Sequence, residues 1–167
     1  MLRKRAGFTL TEILIGLSVI GILAALSAPS FNTLIQNYRV TSSADYLYEF
    51  LQQARSEAIK RNVNIYISFS TGDSWCAGMN TNSACDCTVS GACDLSVIRA
   101  EAAQQATLSV SGYTGNTFYY SGAHGMASTA GTMTLTRYGS SELITLAAGR
   151  MGSVKMCSTG IGGYTAC

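Results

Sequence analysis

Only 12% of the 167 residues are charged, and the chain holds a single histidine, His124, and a single proline, Pro29. So few charges exclude an intrinsically disordered chain, which stays expanded through high charge and low hydrophobicity. The lone histidine sits in Ser121-Gly122-Ala123-His124-Gly125, with no serine, cysteine or aspartate pattern of a nucleophile elbow or metal motif around it. It reads as a solvent-exposed turn residue. A P-loop, a GxGxxG fingerprint and a paired-carboxylate framework are also lacking, so neither an enzyme nor a cofactor is expected. Asp73, Asp86 and Asp94 are loop acids without the alternating-oxygen loop of a calcium site, and no metal is expected.

What is abundant is apolar: 47% of the residues are hydrophobic, and most of the excess lies before residue 30. The length suits one modest domain plus one extra element. The net charge of +2 is misleading, because Arg3, Lys4 and Arg5 supply three of the eleven basic residues. Without the first seven residues, eight Lys/Arg face nine Asp/Glu, a net −1. That balance offers no bulk electrostatic case for nucleic acid or an anionic membrane.

Six cysteines, at 76, 85, 87, 93, 157 and 167, all stand in the second half. An even count in a loop-rich region reads as disulfides formed outside the cytosol. A zinc site of Cys76, Cys85, Cys87 and Cys93 is the competing reading, against which their spacings match no usual CxxC pair. Cys157 and Cys167 enclose a Gly-rich tail and form the expected pair. Among the others, a Cys85–Cys87 bridge is disfavoured by strained geometry. Two pairings stay open: Cys76–Cys85 with Cys87–Cys93, or Cys76–Cys87 with Cys85–Cys93. Either staples loop 77–94, which lacks a hydrophobic pattern and reads as an insertion, with a binding surface as the alternative.

Residues 8–28 form an apolar run with one charge, Glu12. As a helix this run spans roughly 30 Å, the thickness of a bilayer's hydrocarbon core. It is too long for a secretory signal and lacks a small-x-small cleavage site. The basic residues before it should stay cytoplasmic and the rest of the chain outside. A carboxylate in such a helix is costly and is functional or paired, unless it is merely an interfacial acid favoured by the helix N-terminus.

The stretch Arg3-Lys4-Arg5-Ala6-Gly7 followed by Phe8-Thr9-Leu10-Thr11-Glu12 resembles the class III signal of type IV prepilins and type II secretion pseudopilins. The resemblance implies a leader, 1–7, cut by a prepilin peptidase between Gly7 and Phe8, with N-methylation of the new Phe8 amine. It implies that segment 8–28 spans the inner membrane, with the head in the periplasm, before joining a filament core. There Glu12 would pair with the Phe8 amine of a neighbouring subunit, since a buried charge is tolerable only when paired. Pro29 sits where such proteins often kink the helix.

Beyond Pro29 the period stays helical and turns amphipathic: Phe31, Leu34, Ile35, Tyr38, Ala44, Leu47, Leu51, Ala54 and Ala58 recur at spacings of three or four, apart from one gap of six. Segment 29–61 is therefore expected to continue the helix and to end at Lys60, Arg61 and Asn62. From 62 to 167 the period becomes two, with strands expected at 63–69, 75–79, 96–99, 107–110, 117–120, 131–138, 142–147 and 153–157. The predicted fold is α+β, pilin-like: a long N-terminal helix, transmembrane in its first half, packed on an antiparallel β-sandwich-like head.

The stretch from Ala54 to Asn62, leading straight into a strand, resembles the GspH/FimT group, as do Gly149-Arg150 and Val154-Lys155-Met156-Cys157 near the end. This resemblance implies a minor pilin that primes assembly or sits at the filament tip, or a type II secretion pseudopilin of the GspH type. Its partners would be other major and minor pilins or pseudopilins. Some members bind DNA through a Gly-Arg-x-Arg motif during natural transformation. Here Gly149-Arg150-Met151-Gly152 lacks the second arginine. A patch of Arg137, Arg150 and Lys155 remains the candidate for DNA, the less favoured partner.

Overall fold

The computed structural model describes residues 7, 9–100, 106–137 and 139–167, and only the backbone of 27–30. Arg3, Lys4, Arg5 and Phe8 lie outside the described residues, as does Tyr138 at the end of one expected strand. The chain falls into two compact units, Met1–Ile35 and Gln36–Cys167. One helix, α1 (Leu10–Arg61), supplies the first unit and the start of the second. Pro29 lies inside its span.

In the second unit α1 buries Val40, Ala44, Leu47, Phe50, Leu51, Ala54 and Ala58. These recur at three or four residues, so a single stripe faces the core. The stripe starts later than the sequence suggests. Phe31, Leu34 and Tyr38 are exposed, while Val40 and Phe50, absent from the expected set, are buried. Among the described residues, the first unit offers Phe31 and Leu34 no second element to pack against.

The helix ends in a Schellman motif. Asn62 adopts a positive φ of 53°, its N–H donates to the Ile59 carbonyl, and the Val63 N–H reaches back to the Ala58 carbonyl. The chain then enters β1 (Ile65–Ser70) and β2 (Cys76–Thr81), followed by β3 (Ser96–Arg99), β4 (Ala106–Ser111) and, after a 3-10 turn, β5 (Thr117–Tyr120). The last three are β6 (Gly131–Arg137), β7 (Leu143–Ala148) and β8 (Val154–Thr159). They build two antiparallel sheets ordered β3-β2-β1-β5 and β4-β6-β7-β8. Alternation selects the buried face in each: Ile65, Ile67 and Phe69 in β1, Met133 and Leu135 in β6, Ile144 and Leu146 in β7. These residues and the α1 stripe share one core. Phe69, Tyr113 and Phe118 stack within it, and Tyr120 meets Phe118 edge-on.

The first sheet is also covered on its other face. Cys76 and Gly78 alternate with Ala77 and Met79 along β2, yet all four are buried. The loop after β2 lies over them, held by Cys76–Cys87 and Cys85–Cys93. The Cys85 N–H donates to the Ser68 hydroxyl across the sheet. A methyl group at Gly78 would overlap Cys93 Sγ and sit 3.0 Å from Cys85 Sγ. Only glycine leaves room there.

The C-terminal tail covers part of the β8 edge. Cys157–Cys167 closes it, Ser158 donates its N–H to the Thr165 carbonyl, and Tyr164 donates its hydroxyl to Asp45 on α1.

Two measurements check this packing. Gly78→Ala forces a side chain against two bridges, and it should lower the stability of the head by about 1–3 kcal/mol, read as a denaturant midpoint. Burial pushes the Tyr120 hydroxyl from 10.0 up to about 12, and raises Tyr113 as well. The folded head thus keeps protons that the unfolded chain releases near pH 10. Stability should hold below about pH 10 and fall as pH rises toward about 12. Tyr120→Phe should flatten that loss.

Candidate assembly helix and head surface

Thr9, Leu10, Thr11 and Glu12 form a capping box at the start of α1. The Glu12 N–H donates to Thr9 Oγ1, and Glu12 Oε2 accepts from the Thr9 N–H and hydroxyl, each at 3.3 Å. The carboxylate therefore satisfies donors that the first helical turn would leave orphaned, and its charge complements the positive end of the helix. The sequence reading gave Glu12 a pairing in a filament or an interfacial place at the helix N-terminus, and not this local cap. The Thr-x-x-Glu spacing was the overlooked signal, and Thr9 the overlooked residue. Gly7 is exposed.

Past the box, residues 10–26 are exposed on every side. Leu10, Leu14, Ile15, Ile20 and Leu26 are each at least 58% accessible. The Ser18 hydroxyl is satisfied within the helix, donating to the Ile15 carbonyl at 2.8 Å. The segment thus presents apolar side chains and no unpaired backbone group in its interior, as crossing a bilayer requires. α1 is long and apolar enough to do so.

A second feature gathers at the other end of α1. Arg55 donates through Nε to the Gly125 carbonyl at 2.9 Å and through Nη2 to the Met151 carbonyl at 3.4 Å. One guanidinium thereby ties loop 121–127 to loop 149–153. The loops also join directly, the Ala127 N–H donating to the Arg150 carbonyl at 3.0 Å. Two glycines make this approach feasible. Gly152 has φ +78°, and a Cβ there would overlap the Gly125 carbonyl and fall 2.8 Å from Arg55 Nε. At Gly125 (φ +61°) a Cβ would meet the Ile59 side chain at 2.7 Å. The clamp gives Arg55 a structural task that its place in the Ala54–Asn62 stretch did not disclose.

The clamp explains the missing second arginine. Position 152 is a buried, left-handed backbone site filled by its neighbours, so no side chain fits. Arg150 and Lys155 are exposed, but Arg137 is not free to join them. Its guanidinium pairs with Glu142 at 2.6 Å and donates to Asn37 at 2.9 Å. In the sheet register Lys155 pairs with Ala147 and Ala147 with Thr132. Arg137 lies five residues further along β6, about 17 Å away. The three cations do not form one patch.

The remaining candidates resolve simply. All six cysteines are bridged, which leaves no thiolate for zinc. Among the described residues, no group of three or more His, Cys, Asp or Glu stands ready to hold a metal. His124 is exposed in the turn of loop 121–127. Asp86 caps its own turn by accepting from the Thr88 N–H and hydroxyl, which holds its carboxyl below the usual range. Asp94 clasps Thr81, and Asp73 accepts from Thr107.

Two family models match the chain. Residues 43–160 match the family described as type II transport protein GspH. Residues 2–28 match the prokaryotic N-terminal methylation motif. No curated protein and no solved structure matches.

The clamp carries its own test. Arg55→Met removes two donors from carbonyls of joined loops and should cost about 1–3 kcal/mol. Amide exchange should accelerate in loops 121–127 and 149–153 and stay slow in β6 and β7. Gly152→Arg, despite adding a cation, should destabilise the head by at least as much, read as a denaturant midpoint.

Proposed function

The chain belongs to the GspH family, and we propose that within it the protein is a minor type IV pilin, which primes filament assembly or occupies the tip and polymerises through its N-terminal helix. Its type IV pilin-like character is carried by the family match together with the methylation motif at residues 2–28. The observation that supports the assembly role is the apolar, fully exposed segment from Leu10 to Leu26, with Glu12 as its single ionisable group.

The steps follow from where that segment can be buried. A prepilin peptidase cuts between Gly7 and Phe8, and the Phe8 amine is N-methylated. The segment then rests in the inner membrane, with the head in the periplasm and Glu12 held by the Thr9 capping box. Moving into a filament core replaces lipid by neighbouring helices, which costs little for the leucines and isoleucines. Glu12 is different, because removing a carboxylate from water requires a paired charge or several donors. A methylated, cationic Phe8 amine on an adjacent subunit meets that need. The charge thus sets the axial register, and apolar packing supplies adhesion.

Other pilins are the proposed partners, reached through the helix and through the head. A pseudopilin of a type II secretion system is the second reading, favoured by the family's own description. It shares this mechanism and differs in the machine that recruits the subunit. The DNA reading lacks a continuous cationic patch, since Arg137 is spent on Glu142 and Asn37.

Replacing Glu12 with Val tests the proposal. The variant should reach the membrane at the wild-type level, be trimmed to a methylated Phe8, and be missing from the sheared filament fraction. Incorporation at the wild-type level would overturn the assembly role of Glu12.

A further inference from the structure

We propose that the head is a substrate of a thiol–disulfide isomerase, an enzyme that presents a reactive thiolate to mispaired cysteines. The inference rests on export of the head to an oxidising compartment and goes beyond the assembly role.

The argument starts from connectivity. Cys76 bonds to Cys87 and Cys85 to Cys93, so the two bridges cross in sequence. An exported chain presents Cys76 and Cys85 before Cys87 and Cys93. A dithiol oxidase, taking two electrons and two protons per bridge, then meets neighbours first. Loop closure points the same way. The neighbour pairs, Cys76–Cys85 and Cys87–Cys93, close loops of 9 and 6 residues, against 11 and 8 for the native pairs. Nothing in the unfolded loop favours crossing.

Native pairing is selected only by the folded sheet. Cys76 and Cys87 are both 2% exposed, and both bridges close over the bare backbone of Gly78. The Cys85 N–H finds Ser68 on β1, and Arg99 on β3 donates to the Cys87 carbonyl at 2.8 Å. These contacts need β1, β2 and β3 side by side, which comes after the cysteines have met the oxidant.

Once mispaired, the chain has no means of correcting itself. All six cysteines enter bridges and none is free, so exchange must begin from an outside thiolate. The isomerase thiolate attacks Cys76 Sγ of the Cys76–Cys85 bridge, forming a mixed disulfide and releasing the Cys85 thiolate. That thiolate attacks Cys93 Sγ, forms Cys85–Cys93 and releases the Cys87 thiolate. The Cys87 thiolate attacks Cys76 Sγ in the mixed disulfide, forms Cys76–Cys87 and expels the isomerase thiolate. Three exchanges repair both bridges with no net oxidation. Cys157–Cys167 joins sequence neighbours and needs no such help.

Asp86 lies between Cys85 and Cys87 and makes the pairing readable. A protease cutting before aspartates separates fragment 73–85 from fragment 86–93. Native crossing keeps the two fragments linked, whereas neighbour pairing releases each with its own internal bridge. Full-length protein extracted in detergent and alkylated at once should show linked fragments. Six alkylated thiols would overturn the export reading on which the inference rests. The same protein should then be reduced in denaturant, returned to detergent, and reoxidised by the oxidase without and with the isomerase. The linked share should be about one half or less with oxidase alone, since the strained Cys85–Cys87 bridge leaves two of the three pairings and only one of those two links the fragments, and rise to nearly all with isomerase. An equal, nearly complete linked share in both arms overturns the inference. Quantitative recovery of Cys157–Cys167 in both arms verifies the oxidation.

Discussion

A helical segment about 25 Å long and apolar on all sides, carrying one carboxylate, stands exposed among the described residues. Residues 10–26 expose their side chains throughout, and among the described residues the first unit contains no other element to cover them. Water is excluded as a permanent environment by the hydrophobic effect, which scales with the apolar area left wet. The remaining environments are lipid and other helices of the same kind. The proposed passage from one to the other needs a charge whose partner can change. In the isolated chain Thr9 supplies that partner, with its N–H and hydroxyl both directed at Glu12. The capping box is local and open to solvent, so it can be exchanged for a stronger pairing with little loss.

The head answers a different demand, rigidity without a large core. Its two sheets and the second half of α1 share one set of buried side chains. Local devices then restrain the parts that core does not reach. Disulfides hold the loop over the first sheet, a third bridge closes the tail, and Arg55 clamps the loops at the end of α1. The first and last of these depend on a close backbone approach that glycine permits, Gly78 beneath the bridges and Gly152 beside the guanidinium. The same exposed turn that displays Arg150 thus admits no second arginine at 152. Clamp geometry and cationic display compete for one position.

Much of this architecture was legible in advance, and the reasons are physical. Strand alternation and turn residues placed all eight strands within about two residues, because a half-buried strand must alternate. Helix termination at Asn62 was readable because few residues tolerate the left-handed backbone. The stripe on α1 was read less well. Phe31, Leu34 and Tyr38 have the right spacing, yet spacing alone does not tell which apolar residues find cover within the chain. Arg137 was misjudged for a related reason. A cation on a strand looks available until its partners, Glu142 and the distant Asn37, are brought beside it.

From the order of residues alone came the basic N-terminal motif, the membrane-length apolar run, the helix that follows it and the alternating head, since each depends on neighbours within a few positions. Folding in three dimensions decided the rest. It chose crossed over adjacent bridges for Cys76, Cys85, Cys87 and Cys93, seated Arg55 between two loops 70 and 96 residues away, and engaged Arg137 with Glu142 and Asn37. These outcomes depend on contacts between segments far apart in sequence, and no local periodicity records which segments will meet.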